Sequence, residues 1–133
     1  MGAWSAEPFG NDTAADWAWE LEESSDWTVV AQTLQAALSA DEPIDSDIAT
    51  TAIAAAEVVA HGLGRPTQDD PYTEAIDQFV GGAPAPSPEL VELALSGLAA
   101  ATRPTSELTE LWAEADARDW EQAIARIEAA LRN

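Results

Sequence analysis

Apolar residues recur at three- and four-residue steps through most of this chain, the spacing that lines them along one side of a 3.6-residue helix. Ala14, Trp17, Ala18 and Leu21 share a face in a first segment running to about Glu23. Asn11 can cap it, because an Asn side chain accepts from the orphan amides of a first turn. Trp27, Val30, Leu34, Ala37 and Leu38 repeat in a second segment, from a cap at Asp26 through Ser39, with Pro43 soon after. A third runs from about Ser46 to Leu63 with Ile48, Ala52, Ala55, Val59 and Leu63 on one face. Ile53, Val58 and Ala60 widen that face until only a stripe of Asp47, Thr50, Glu57 and His61 is polar. This is expected to be the most buried helix, with Gly62 or Gly64 as its left-handed stop.

Asp70-Pro71 reads as N-cap and first position of a short helix through Val80, with Ile76, Phe79 and Val80 as its apolar contacts. A Gly/Pro-rich loop at 81–88 then breaks the pattern. Only 47 residues follow Pro86, too few to fold alone without a staple, so the break is a loop inside one domain spanning 1–133. Ser87-Pro88-Glu89 repeats the cap-then-proline signature and opens a helix with Leu90, Leu93, Ala94 and Leu98 in phase, ending by Pro104. Ser106 caps a helix with Leu108, Leu111, Trp112 and Ala115. Asp119 and Gln122 form a capping-box pair for a last one striped with Trp120, Ile124, Ile127 and Leu131. No stretch alternates as a strand does, and no fixed-period repeat is present. The fold class is therefore all-α: an irregular bundle of about seven helices. Met1 to Gly10, with Trp4, Pro8 and Phe9 off any helical spacing, reads as an extended aromatic N-terminal arm.

Composition supports a globular chain: 133 residues, 47% hydrophobic, with six tryptophans. Charge changes the picture more. Twenty-five acids face five bases, all Arg, for a formal net charge of -20. Twelve of the acids precede Arg65, where there is no Lys or Arg at all. Such a field repels nucleic-acid phosphates and anionic headgroups, so neither nucleic acid nor membrane is an expected partner. A basic protein is, unless the acidity serves only solubility or salt adaptation. The amino terminus has no basic segment followed by an apolar run, Ala6 stands where a myristoylation signal wants Ser or Thr, and no apolar stretch reaches bilayer length. The expected location is cytoplasmic.

Candidate chemistry is sparse. With no cysteine and no lysine, disulfides, thiolate sites and Schiff bases are excluded, and no nucleophile elbow or phosphate-cradling loop occurs. No cofactor is expected. Glu57 and His61, four apart on one helix, could offer two ligands to zinc or iron, but no second histidine completes the set. The plainer reading is a histidine in the last helical turn, whose charged form suits the negative helix end. Trp19 falls on the far side of the first helix, among Asp12, Asp16, Glu20 and Glu23. An aromatic ringed by charge is interface chemistry. The alternative, favoured because a wet Trp is uncommon, is that the arm folds back and Trp4 or Phe9 covers it.

Met1-Gly2-Ala3-Trp4, Pro8-Phe9, Asn11-Asp12, Ala14 and Asp16-Trp17 together resemble the opening motif of a bacterial family of unknown function, the one numbered 4259. Ala54 through Ala60 in the central helix, and Ser106-Glu107-Leu108 with Leu111-Trp112, are similar to it too. The resemblance implies a small bacterial helical protein with no activity, cofactor or site to carry over. The functional expectation is a non-enzymatic acidic protein–protein interaction module, masking a basic partner as an immunity protein masks a nuclease toxin. The alternatives are a metal-dependent or carboxylate-based enzyme centred on Glu57 and His61, and a salt-adapted structural protein with no dedicated site.

Overall fold

The computed structural model describes residues 5–132, and among these it is all-α. Seven helices follow one another: α1 (Asp12–Glu22), α2 (Thr28–Ser39), α3 (Ser46–Gly62), α4 (Glu74–Gly82), α5 (Pro88–Ala101), α6 (Glu107–Glu114) and α7 (Arg118–Arg132). A single 3-10 turn, Pro71–Thr73, leads into α4.

Helix α3 is the axis and packs against each of the other six. Its composition explains why. Ala49, Ala52, Ala54, Ala55, Ala56 and Ala60 are fully buried, and side chains that small let neighbouring helices approach from every side. The closest layers are α2 and α5, which also pack on each other, so the Gly/Pro-rich break before α5 leads back onto the same core. Val30, Leu34 and Ala37 of α2, Ile76 and Phe79 of α4, Leu90, Ala94 and Leu98 of α5, and Trp120, Ile127 and Leu131 of α7 close around α3.

The caps follow the side chains that can accept from free amides. Asn11 takes the amide of Ala14 at 2.7 Å, Asp45 those of Asp47 and Ile48, Ser87 that of Leu90, and Asp70 forms a reciprocal box with Thr73. Four local expectations need correction. Asp26 takes the amide of Thr28 from outside the helix, so that Trp27 holds the cap position of α2. The Asp70-Pro71 segment starts as a 3-10 turn, and α4 begins only at Glu74. Ser106 precedes α6 as expected, yet its hydroxyl is buried without a hydrogen-bond partner instead of capping. Helix α7 begins at Arg118, where Asp116 accepts the Arg118 amide, so Asp119 lies inside the first turn and makes no capping box.

At the end of α3 it is Gly64, with φ of 77°, that supplies the left-handed residue, letting the Arg65 amide reach back to the Ala60 carbonyl at 2.9 Å. Gly62 has another role. A Cβ there would meet the Pro86 ring at 2.7 Å and the Trp27 indole at 2.8 Å. Trp27 lies on this bare patch of α3, donates its indole N–H to the Pro84 carbonyl at 2.7 Å, and meets Phe79 edge-on at 5.2 Å. The proline-rich loop is thereby held against the bundle.

At the amino-terminal side, residues 5–10 curl into a turn instead of extending. The Ser5 amide donates to the Gly10 carbonyl and the Gly10 amide to the Glu7 carbonyl. Phe9 is buried in the core. Beside this turn, a hollow of about 240 Å³ opens toward α6 and α7, where Trp112 and Trp120 stack at 6.1 Å. Trp4, assigned above to the arm, lies outside the described residues.

Candidate functional site

Two constellations singled out in the sequence can be located. The first is Glu57 and His61. The polar stripe they were assigned to is not a solvent face at this end of α3: both side chains are buried. Leaving the helix through Gly64, the chain doubles back so that Thr67 and Gln68 lie beside it. The Glu57 carboxylate accepts from the Thr67 amide at 2.8 Å, the Thr67 hydroxyl at 2.6 Å and the Gln68 amide at 2.9 Å. His61 Nε2 lies 3.0 Å from Glu57 Oε2 and 3.0 Å from the Gln68 carbonyl, and its Nδ1 lies 2.9 Å from Asp77 Oδ1 on α4.

Burial pushes the His61 pKa down, but the hydrogen bonds and charges of Glu57 and then Asp77 outweigh it and hold the imidazole above its usual value. When protonated, the ring can donate to a carboxylate on either side. Gln68 extends the network, accepting from the Phe9 amide at 2.8 Å and donating to Asp70 at 3.0 Å. The amino-terminal turn, α3, the following loop and α4 are thus tied through one polar knot.

A carboxylate buried this deeply needs several donors to be tolerated, and here the backbone supplies them. Glu57 Oε2 already takes three donors, Glu57 Oε1 takes the Thr67 hydroxyl, and both His61 nitrogens are engaged. Among the described residues, no group of three or more His, Cys, Asp or Glu is placed to hold a metal ion. What the cluster does chemically is to clamp α4 and the loop to α3.

The second constellation is the Trp19 face. Trp17 and Trp19 show how two positions along a helix reverse exposure. Trp17 is buried, with its indole N–H donating to Thr33 on α2 at 3.0 Å. Trp19 is 66% exposed. The expected cover does not come from Phe9, whose amide is fixed on Gln68 and whose ring is in the core. Asp12, Asp16, Glu20 and Glu23 are all exposed around Trp19 on the outer surface of α1.

The structure adds a groove that sequence reasoning missed. Ala15, Ala18, Trp19 and Glu22 form one wall, and Pro71, Tyr72, Glu74, Ala75 and Gln78 the other. A second hollow, sharing Glu22, Ala75 and Gln78, continues it toward Ser24 and Gly82. Tyr72 is also exposed, at 61%. Of the acids on α1 it is therefore Glu22, not Glu20 or Glu23, that lines the groove. The signal was available in the spacing, because positions 15, 18, 19 and 22 fall on one helical face. The opposing wall was not, since no periodicity links Tyr72 and Glu74 to α1.

The electrostatics of this groove are one-sided. Among the described residues, no carboxylate of α1 joins an ion pair, and neither does Glu74. The five arginines are engaged elsewhere: Arg103 with Glu42, Arg118 with Asp116, Arg126 with Glu7, Arg132 with Glu128, and Arg65 with the Ala130 carbonyl. Among the described residues the negative potential here has no counterion, and the exposed rings of Trp19 and Tyr72 border it. No helix among the described residues is long and apolar enough to cross a membrane.

A family model described as a domain of unknown function, DUF4259, matches residues 2–123. No curated protein and no solved structure matches the chain.

Proposed function

Because the chain belongs to the DUF4259 family, whose description names no activity, we propose its function from the groove: a non-enzymatic interaction module that docks a basic protein on the acidic α1 face. The observation that carries this reading is Trp19, 66% exposed among Asp12, Asp16, Glu20, Glu22 and Glu23, none of them in an ion pair among the described residues. Exposing a Trp and crowding unpaired carboxylates both cost free energy in the isolated protein, and a cationic partner relieves both at once. Masking of a basic partner in the cytoplasm of a bacterial cell is the role we assign.

The test is retention of basic proteins of the native cell on the immobilised chain at low and high salt, with Trp19→Ala alongside. The expected result is a basic protein held by the wild type, released by salt, and not held by the variant. No retained protein, or equal retention by Trp19→Ala, overturns the reading.

A further inference from the structure

We propose that the α1–α4 groove is an arginine site, taking the side chain of an Arg-bearing segment of the partner in preference to lysine or a quaternary ammonium. This rests on the reading above and gives it a chemical specificity. Each wall contributes a carboxylate, Glu22 from α1 and Glu74 from the start of α4, and Trp19 of α1 contributes the exposed indole. Trp19 and Glu22 are three apart and so share a helical face. Ala15, Ala18 and Ala75 keep the floor shallow and apolar, which suits the methylene stem of a long cationic side chain.

The combination of rings and acids selects among cations. Aromatic faces attract any of them, Trp most strongly. A quaternary ammonium has no N–H to give the two carboxylates, which would then be partly desolvated without a donor. An ammonium is compact and strongly hydrated. A guanidinium is planar, weakly hydrated and carries five donors in a fixed fork, so it can lie on an indole while its edges reach acids on both walls. Among the described residues the groove holds no basic residue to compete, and each of this chain's own arginines is engaged elsewhere.

The experiment uses three short peptides identical except for a central Arg, Lys or trimethyl-lysine, titrated into the full chain at low salt. The readout is the indole N–H resonance of Trp19 in heteronuclear NMR, assigned with Trp19→Phe. The Arg peptide is expected to shift that resonance and to bind about fivefold more tightly than the Lys peptide, with trimethyl-lysine weaker still. Glu22→Gln combined with Glu74→Gln should bring Arg down to the Lys level, and Glu20→Gln should not. Equal binding of Arg and Lys at Trp19, or tighter binding of trimethyl-lysine, overturns the arginine site while leaving the acidic docking face intact. If no peptide moves Trp19, both fall.

Discussion

His61 Nδ1 stands 2.9 Å from Asp77 Oδ1 while its Nε2 stands 3.0 Å from Glu57 Oε2, so one imidazole links α3 and α4 through two carboxylates. Despite the opposing effect of burial, these partners raise its pKa above the ordinary value of about 6.5. A group raised on folding binds its proton more tightly in the native state. Its contribution is therefore fully present below about pH 6.5 and is lost as pH climbs through the raised native value. Urea midpoints measured from about pH 6.5 upward should fall for the wild type across that window and fall less for His61→Gln. Equal slopes for the two proteins would show that His61 is not the titrating group.

The two carboxylates should not be equivalent. Glu57 is fully buried and accepts from the amides of Thr67 and Gln68 and from the Thr67 hydroxyl, whereas the Asp77 side chain is 52% exposed. Glu57→Ala leaves those donors and a charged His61 without their acceptor, a loss of about 3 to 5 kcal/mol. Asp77→Asn should cost no more than about 1 kcal/mol. Denaturant unfolding at a pH near 6 ranks them, and an Asp77→Asn loss matching that of Glu57→Ala would refute the ordering.

This cluster also marks where the sequence stops being legible. Asn11, the Ala14–Trp17–Ala18–Leu21 face and the limits of α3 follow from side-chain chemistry within one or two turns, and all are found as expected. The burial of Glu57 depends on Thr67 and Gln68, ten and eleven residues on, in a loop with no periodicity to place it. A helical wheel classes Glu57 as polar and turns it to solvent. The cap errors have a similar origin. Asp26, Ser106 and Asp119 are all good capping residues, but Trp27 is drawn to Pro84 and the Ser106 hydroxyl is buried by packing, contacts that lie outside any local window. On α1 the wheel turned Trp19 outward, and the expectation of a cover over it rested on how seldom a Trp stays wet. Of the two residues offered as that cover, Phe9 is claimed by the core, and Trp4 lies outside the described residues.

Gly62 should be intolerant where Gly82 is not. Alanine gains about 1 kcal/mol over glycine in a helix interior. At Gly62, however, the added Cβ would lie 2.7 Å from Pro86 and 2.8 and 2.9 Å from two carbons of the Trp27 ring, which its hydrogen bond to Pro84 holds in place. Gly62→Ala is expected to be destabilising by about 1 to 3 kcal/mol. Nothing lies within 4 Å of a Cβ built at Gly82, so Gly82→Ala should be neutral or slightly stabilising. Thermal unfolding of the two variants decides, and a Gly62→Ala protein as stable as the wild type would mean that Trp27 moves freely.

The acidic surroundings of Trp19 make a prediction that needs no partner. Quenchers of opposite charge sample the local potential, and near Asp16, Glu20, Glu22, Glu23 and Glu74 a cation is concentrated while an anion is excluded. Fluorescence quenching by caesium and by iodide, each normalised to free N-acetyltryptophanamide, should therefore favour caesium for the part of the emission that disappears in Trp19→Phe. Subtracting the variant isolates Trp19 from the other five tryptophans. In about 1 M sodium chloride the screening length shrinks to about 3 Å, and the two quenchers should converge. Iodide quenching equal to caesium quenching at low salt would mean that these carboxylates do not set the potential over the indole, and a cationic partner would then lose its electrostatic reason to dock there.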